Sequence, residues 1–197
     1  MTSGTPRPAL QARVSAAILD AAAQLLAQRG EAASMSDVAA AAGVGRATVY
    51  RYFPSREALL EELAELALTT AGDRLGAAGL ANVSVEEGLA RAVRVLVGVG
   101  DYFIVLARER VRPDSAQLEE RLASPLRALL ERGQETGVIR TDLAASWLTE
   151  ALLALVVSVL LARPPLGEED TAAAITTLFV DGSRARIESR VMGTESA

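Results

Sequence analysis

SMSDVAAAAGVGRATVYRYF, residues 34–53, reads as two short helices joined by a tight turn. Met35, Val38, Ala39 and Ala42 recur at i, i+3, i+4 and i+7, which gives the first helix one apolar face. Ser34 can cap that helix, and Asp37 three residues later completes a capping-box-like pair. Gly43 supplies a left-handed residue to end it. Val44 can plug the angle between the two helices. A second helix is predicted from about Arg46 to Phe53, closed by Pro54.

The faces of the second helix divide. Val49 and Phe53 are i, i+4 and continue the apolar core. Arg46 with Tyr50, and Ala47 with Arg51, are also i, i+4 pairs and point the other way. The outward face thus carries two guanidiniums, an aromatic hydroxyl and a methyl. Arg forks match phosphate or guanine edges, Tyr and Thr hydroxyls donate to phosphate, and Ala can meet a thymine methyl. A helix-turn-helix places such a second helix in the major groove. The plainer alternative is a solvated surface helix in an ordinary bundle; the turn spacing, caps and face chemistry together favour DNA.

The run ILDAAAQLLAQRG followed by SMSDVAAAAGVGRATVYRYFPSREALLEEL resembles the DNA-binding domain of the TetR family of bacterial repressors over roughly Arg13 to Leu63. The resemblance implies phosphate contacts from Ser34 and Ser36, from Thr48, Tyr50 and Tyr52, and from Arg56. It implies base-edge contacts from Gly45, Arg46, Ala47 and Arg51. Many members carry Ser at the position of Gly45, which here leaves one contact without its hydroxyl. The resemblance also implies a homodimer on a near-palindromic double-stranded DNA operator and a small-molecule effector held in the body.

Net charge is −5 over 197 residues, which read globally argues against nucleic acid. Residues 1–56 nevertheless hold six Arg against Asp20, Glu31 and Asp37, a net of +3 that leaves −8 for the remainder. A basic end on an acidic body is the asymmetry expected when one end meets DNA. The chain has no Cys and no His, which removes thiol chemistry, disulfides and the commonest general base and metal ligand. No cofactor, no metal and no catalytic residue is expected. The N-terminus lacks an apolar signal region, and the longest uncharged apolar run, Ala151 to Ala162, is short for a bilayer span. A cytoplasmic protein without membrane contact is expected.

The remaining chain shows helical periodicity and no strand pattern. The fold class is all-α, about nine helices, with an N-terminal three-helix helix-turn-helix domain and a larger helical ligand-binding and dimerisation domain. The expected division is a disordered arm over 1–8, the DNA-binding domain over 9–70, the effector-binding and dimerisation domain over 71–190, and a tail over 191–197. Arg7 in the arm is either a minor-groove contact or part of a floppy tail. Ser84 and Glu87 form a second capping box, and Pro125 predicts a kink or break inside a long helix. The final helix is expected from about Glu168 to Ile187.

The resemblance implies a ligand pocket among the middle helices, for which the candidate residues are Leu96, Tyr102, Phe103, Leu106, Leu126, Trp147, Glu150 and Ala151. Trp147 and Glu150 are i, i+3 and suit an aromatic or cationic ligand, or else core packing and a surface acid. The helix over about 144–162 is apolar nearly all round and must be buried. With the last helix it resembles the family's four-helix dimer interface, through Leu155, Val159, Ile175, Leu178, Phe179 and Gly182. The competing function is a ligand-independent DNA-binding or architectural protein controlled by a protein partner.

Overall fold

The computed structural model describes residues 7–185, with side chains from residue 10. Most of the expected arm, the tail and the end of the expected last helix lie outside the described residues. The first helix, α1, is Arg7–Arg29, and its Ile18, Ala22 and Leu26 are buried. It starts two residues earlier than expected. A 3-10 turn, Gly30–Ala32, leads to α2 (Met35–Ala41), α3 (Arg46–Tyr52) and α4 (Arg56–Ala77). Then come α5 (Val85–Gly98) and α6 (Gly100–Arg108), separated by Val99 alone.

The next helical stretch runs from α7 (Ser115–Leu118) through a π-turn (Glu119–Ala123) into α8 (Ser124–Glu135). Pro125 sits in the first turn of α8. Proline has no N–H and clashes with the carbonyl four residues back, so the widened turn just before it relieves the expected disruption without ending the helix. Finally α9 is Ala145–Ala162 and α10 is Glu168–Ser183. Counting the α7–α8 stretch as one, nine continuous helices lie among the described residues. There is no strand among them, only an isolated antiparallel bridge between Ile139 and Arg184. That bridge is where α10 stops: Arg140 N–H donates to Ser183 O at 2.9 Å and Ala185 N–H to Val138 O at 3.0 Å, four residues short of the expected end near 187.

Two large apolar cores are stacked along α4, with a small third cluster of Ala64, Ala67 and Leu106 between them. Leu59, Leu60 and Leu63 belong to the first, with α1, α2, α3 and, from α6, Ile104 and Val105. Leu68, Ala71 and Leu75 belong to the second, with α5, α8, α9 and α10. The handover falls within α4 between Leu63 and Leu68, a few residues before the expected boundary at 70, and the helix crosses it unbroken. The capping box at Ser84 forms in half: Glu87 N–H donates to Ser84 Oγ at 3.2 Å, while the Glu87 carboxylate turns to Arg91 at 2.8 Å.

α9 is the anomaly. Its 18 residues have a mean hydropathy of 2.0, but only 28% of them are buried within the chain. By length and composition alone it would pass for a membrane span. Its Leu148, Leu152 and Val156 row is nonetheless sunk in the second core. Leu153, Leu155, Val157, Val159, Leu160 and Leu161 are half-buried and Trp147, Ala154 and Ala162 are exposed, so its own chain does not cover the helix all round.

The closest internal approach supplies a stability test. A Cβ on Gly133 would sit 2.4 Å from Ile139 Cγ1 and 3.0 Å from Val85 Cγ1. Gly133→Ala gains helix propensity but overpacks a fully buried junction, so a net loss of about 1–3 kcal/mol is expected as a lower urea midpoint. A midpoint at or above wild type would mean that Ile139 can move aside.

Candidate nucleic-acid interface and effector cavity

The entry to the recognition element is capped as the spacing requires. Ser34 N–H donates to Asp37 Oδ2 at 2.8 Å, and Asp37 N–H donates to Ser34 Oγ at 3.2 Å. Ser34 Oγ also donates to Asp37 Oδ2 at 2.6 Å. These hydrogen bonds, side chain first, hold the Asp37 carboxyl below its ordinary range. The carboxylate half of the box is therefore complete through neutral pH and weakens only as pH falls through that lowered value. Ser34 has both of its donors committed to Asp37, so its geometry fits a cap better than the expected phosphate contact. Ser36 is exposed.

Gly43, at φ +66°, turns the chain into α3. Val49 and Phe53 are 0% and 2% exposed and form the buried side of that helix. Arg46, Ala47, Tyr50 and Arg51 lie exposed on the opposite side, and Thr48 and Tyr52 are half-buried at its margins. The Arg46 guanidinium carbon lies 5.3 Å from the Tyr50 ring centroid, and that of Arg51 lies 5.2 Å from the Tyr52 ring. Such cation–π contacts pre-order the two forks without covering their N–H edges. Gly45 caps α3, and a Cβ there would meet only Thr48 Oγ1, at 4.0 Å. The position has room for the serine that many TetR members carry.

Arg56 does not face outward with them. Its Nε and one terminal nitrogen donate to Glu109 at 3.3 and 2.6 Å, and its other terminal nitrogen donates to Ala33 O at 2.6 Å. The Arg56 side chain is 24% exposed and that of Glu109 only 9%. In this arrangement Arg56 is held on a part-buried carboxylate, a geometry that favours a structural pair over the expected phosphate contact.

The body holds an apolar cavity of about 350 Å³ between α4, α5, α6, the α7–π-turn stretch and α9. Of the candidate ligand residues, Leu96, Phe103, Leu106 and Glu150 line it. The other expected ligand residues do not. Leu126 is fully buried in the second core, and Trp147 is 57% exposed, one turn beyond the cavity's edge on α9. Ala151 is half-buried outside the lining. Tyr102 points to the other side of α6, where its hydroxyl donates to Asp20 of α1. Burial first, then that bond, raises the Tyr102 pKa, so the phenol stays protonated. Leu153, Ala154 and Val157 line the cavity and were missed; they follow Glu150 at i+3, i+4 and i+7, a periodicity that would have found them. Glu150 is the one charged side chain of the lining, and it makes no hydrogen bond or ion pair among the described residues.

The expected dimer residues split. Ile175 and Phe179, 1% and 7% exposed, pack inward within the second core and are corrected to core residues. Leu178 is 65% exposed, Gly182 is exposed, and Leu155 and Val159 are half-exposed on α9. Among the described residues no cluster of three or more Asp or Glu could hold a metal ion.

Comparison with known proteins agrees with this geometry. Residues 18–63 match the family model "Bacterial regulatory proteins, tetR family". The HTH-type transcriptional repressor LfrR of Mycolicibacterium smegmatis is 39% identical over 100 residues, 51% of this chain and 52% of LfrR; the aligned stretch spans about half of that relative. The HTH-type transcriptional regulator NfxB of Pseudomonas aeruginosa is 27% identical over 160 residues, 77% of this chain and 84% of NfxB. The solved structure of LfrR from Mycobacterium smegmatis in complex with proflavine superposes with a TM-score of 0.70 at 27% identity, covering 90% of this chain and 99% of that one.

Proposed function

The chain belongs to the TetR family of DNA-binding regulators, which are not enzymes, and from that premise we propose that it is a cytoplasmic homodimeric repressor released from a near-palindromic operator by a small, largely apolar ligand. The observation that carries the reading is the division of α3, with Val49 and Phe53 buried behind an exposed row of Arg46, Ala47, Tyr50 and Arg51. In that row Arg46 and Arg51 read base edges or phosphate, Tyr50 donates to phosphate from beside Arg46, and Ala47 lets the helix approach closely. Ser36, Thr48 and Tyr52 flank them as phosphate donors.

A second copy supplies the other half of the site. The uncovered side of α9, with Leu155 and Val159, and the exposed Leu178 and Gly182 of α10 offer an apolar surface that a copy of itself can cover. Two recognition helices then reach successive major grooves about 34 Å apart.

The cavity supports the ligand part of the reading and weighs against a ligand-independent role. Its apolar lining with a single unpaired carboxylate, Glu150, suits a lipophilic monocation. A relative crystallised with proflavine gives the same direction. A ligand that fits better when the two recognition helices are wrongly spaced shifts the population and weakens DNA binding, and linkage makes DNA weaken the ligand equally.

Selection of bound duplexes from a random pool tests the reading, and an inverted repeat is expected. Arg46→Ala should then flatten the preference at one position of each half-site by about 1–3 kcal/mol; an unchanged preference would exclude a base-reading role. Glu150→Gln should weaken a lipophilic monocation by up to about fivefold, the scale of an exposed pair, and leave neutral ligands unaffected in titration calorimetry. Leu178→Glu should give monomers by light scattering, since Leu178 touches little within its own chain; a dimer that persists would place the interface elsewhere.

A further inference from the structure

The C-terminal end of α6 is fastened to the DNA-binding unit. Arg108 donates to Ala27 O, near the end of α1, at 2.9 Å. Glu109, the next residue, receives Arg56 from the first turn of α4. The same guanidinium donates to Ala33 O at 2.6 Å and to Gly30 O at 3.4 Å, which ties down the turn between α1 and α2 directly before the Ser34 cap. One fork therefore joins four segments: the ends of α1 and α6 and the starts of α2 and α4. The other side of α6 carries Phe103, Leu106 and Ala107 to the apolar cavity.

We propose that Arg56 and Glu109 are positioning residues for operator binding: their pair fixes the angle of the recognition helix relative to the body, and through it the half-site spacing that the protein accepts. Two properties single this pair out from the other contacts of α6. A planar guanidinium on a carboxylate holds one orientation, where a single hydrogen bond such as Arg108 to Ala27 O allows a range. The Glu109 carboxylate is also enclosed, so the pair has no solvated alternative. Movement of Phe103 and Leu106 by an occupant of the cavity would carry Glu109 with the same helix and tilt α2 and α3 through Arg56. The proposal rests on the reading of α3 as the DNA-facing helix and removes Arg56 from the phosphate contacts.

The test needs no effector. The chain has no Cys, so cysteines introduced at the exposed Ala47 on α3 and Ala128 on α8 are the only labelling sites. Doubly labelled chains diluted in unlabelled protein report the intrachain distance between recognition helix and body. Glu109→Gln and Arg56→Gln should each shift or broaden that distance, and the double variant should do no more than either alone. On the selected duplex, both should lower the preference for the native spacing over spacings one base pair longer or shorter by about fivefold or more, the low end of coupling between sites. Both should leave the salt dependence of binding at the wild-type slope. A wild-type distance distribution in both variants overturns the proposal. So does a salt slope that falls by about 0.9 with Arg56→Gln and stays unchanged with Glu109→Gln, because that is the signature of a phosphate contact. If either variant fails to fold, Arg56→Lys, which keeps the charge and loses the fork, takes its place. Wild-type protein that binds no duplex would sink the DNA reading alone, since the distance measurement still decides the pair.

Discussion

A helix of seven residues cannot hold its own shape in water, because isolated helices shorter than about 12–15 residues are marginal even with the best formers. α3 has seven residues, and Gly45 gives it no side-chain cap. What keeps it helical is the burial of Val49 and Phe53 against α1, α2 and α4. Everything exposed on its far side depends on that anchorage. The same burial lets the outward residues be chosen for their chemistry, since none of them is needed for packing.

α6 is the second shared part. It lends Ile104 and Val105 to the core beneath the recognition helix and Phe103 and Leu106 to the wall of the apolar cavity. A helix with one side in each compartment cannot shift in one without disturbing the other. Close-packed interiors respond by moving as blocks, which makes a short, well-anchored helix a natural place for coupling.

The DNA-binding unit was readable because its signals are local. Caps, the left-handed Gly43 and an i, i+4 apolar pair all act within eight residues of each other. The all-α class and most helix boundaries followed from the same kind of signal. The Arg56–Glu109 pair was not legible because the two residues are 53 positions apart, and nothing near Arg56 in sequence says that a carboxylate will be enclosed there. Ile175 and Phe179 were assigned to a partner on account of their helix. Periodicity shows that an apolar side exists, but in a helix with apolar residues on two sides it does not say which of them meets α5. Trp147 and Leu126 failed for a related reason: bulk suggests a pocket, but whether a bulky residue is enclosed, exposed or beside a cavity depends on helices distant in sequence.

The exposed side of α9 has a consequence for regulation in the cell. With the partner copy proposed above, the species competent for DNA is the pair, so mass action governs its abundance. Below the dissociation constant of the pair, its concentration follows the square of the number of chains. Halving expression would then cut operator occupancy by more than half, and the repressed gene would respond to chain dosage as a threshold.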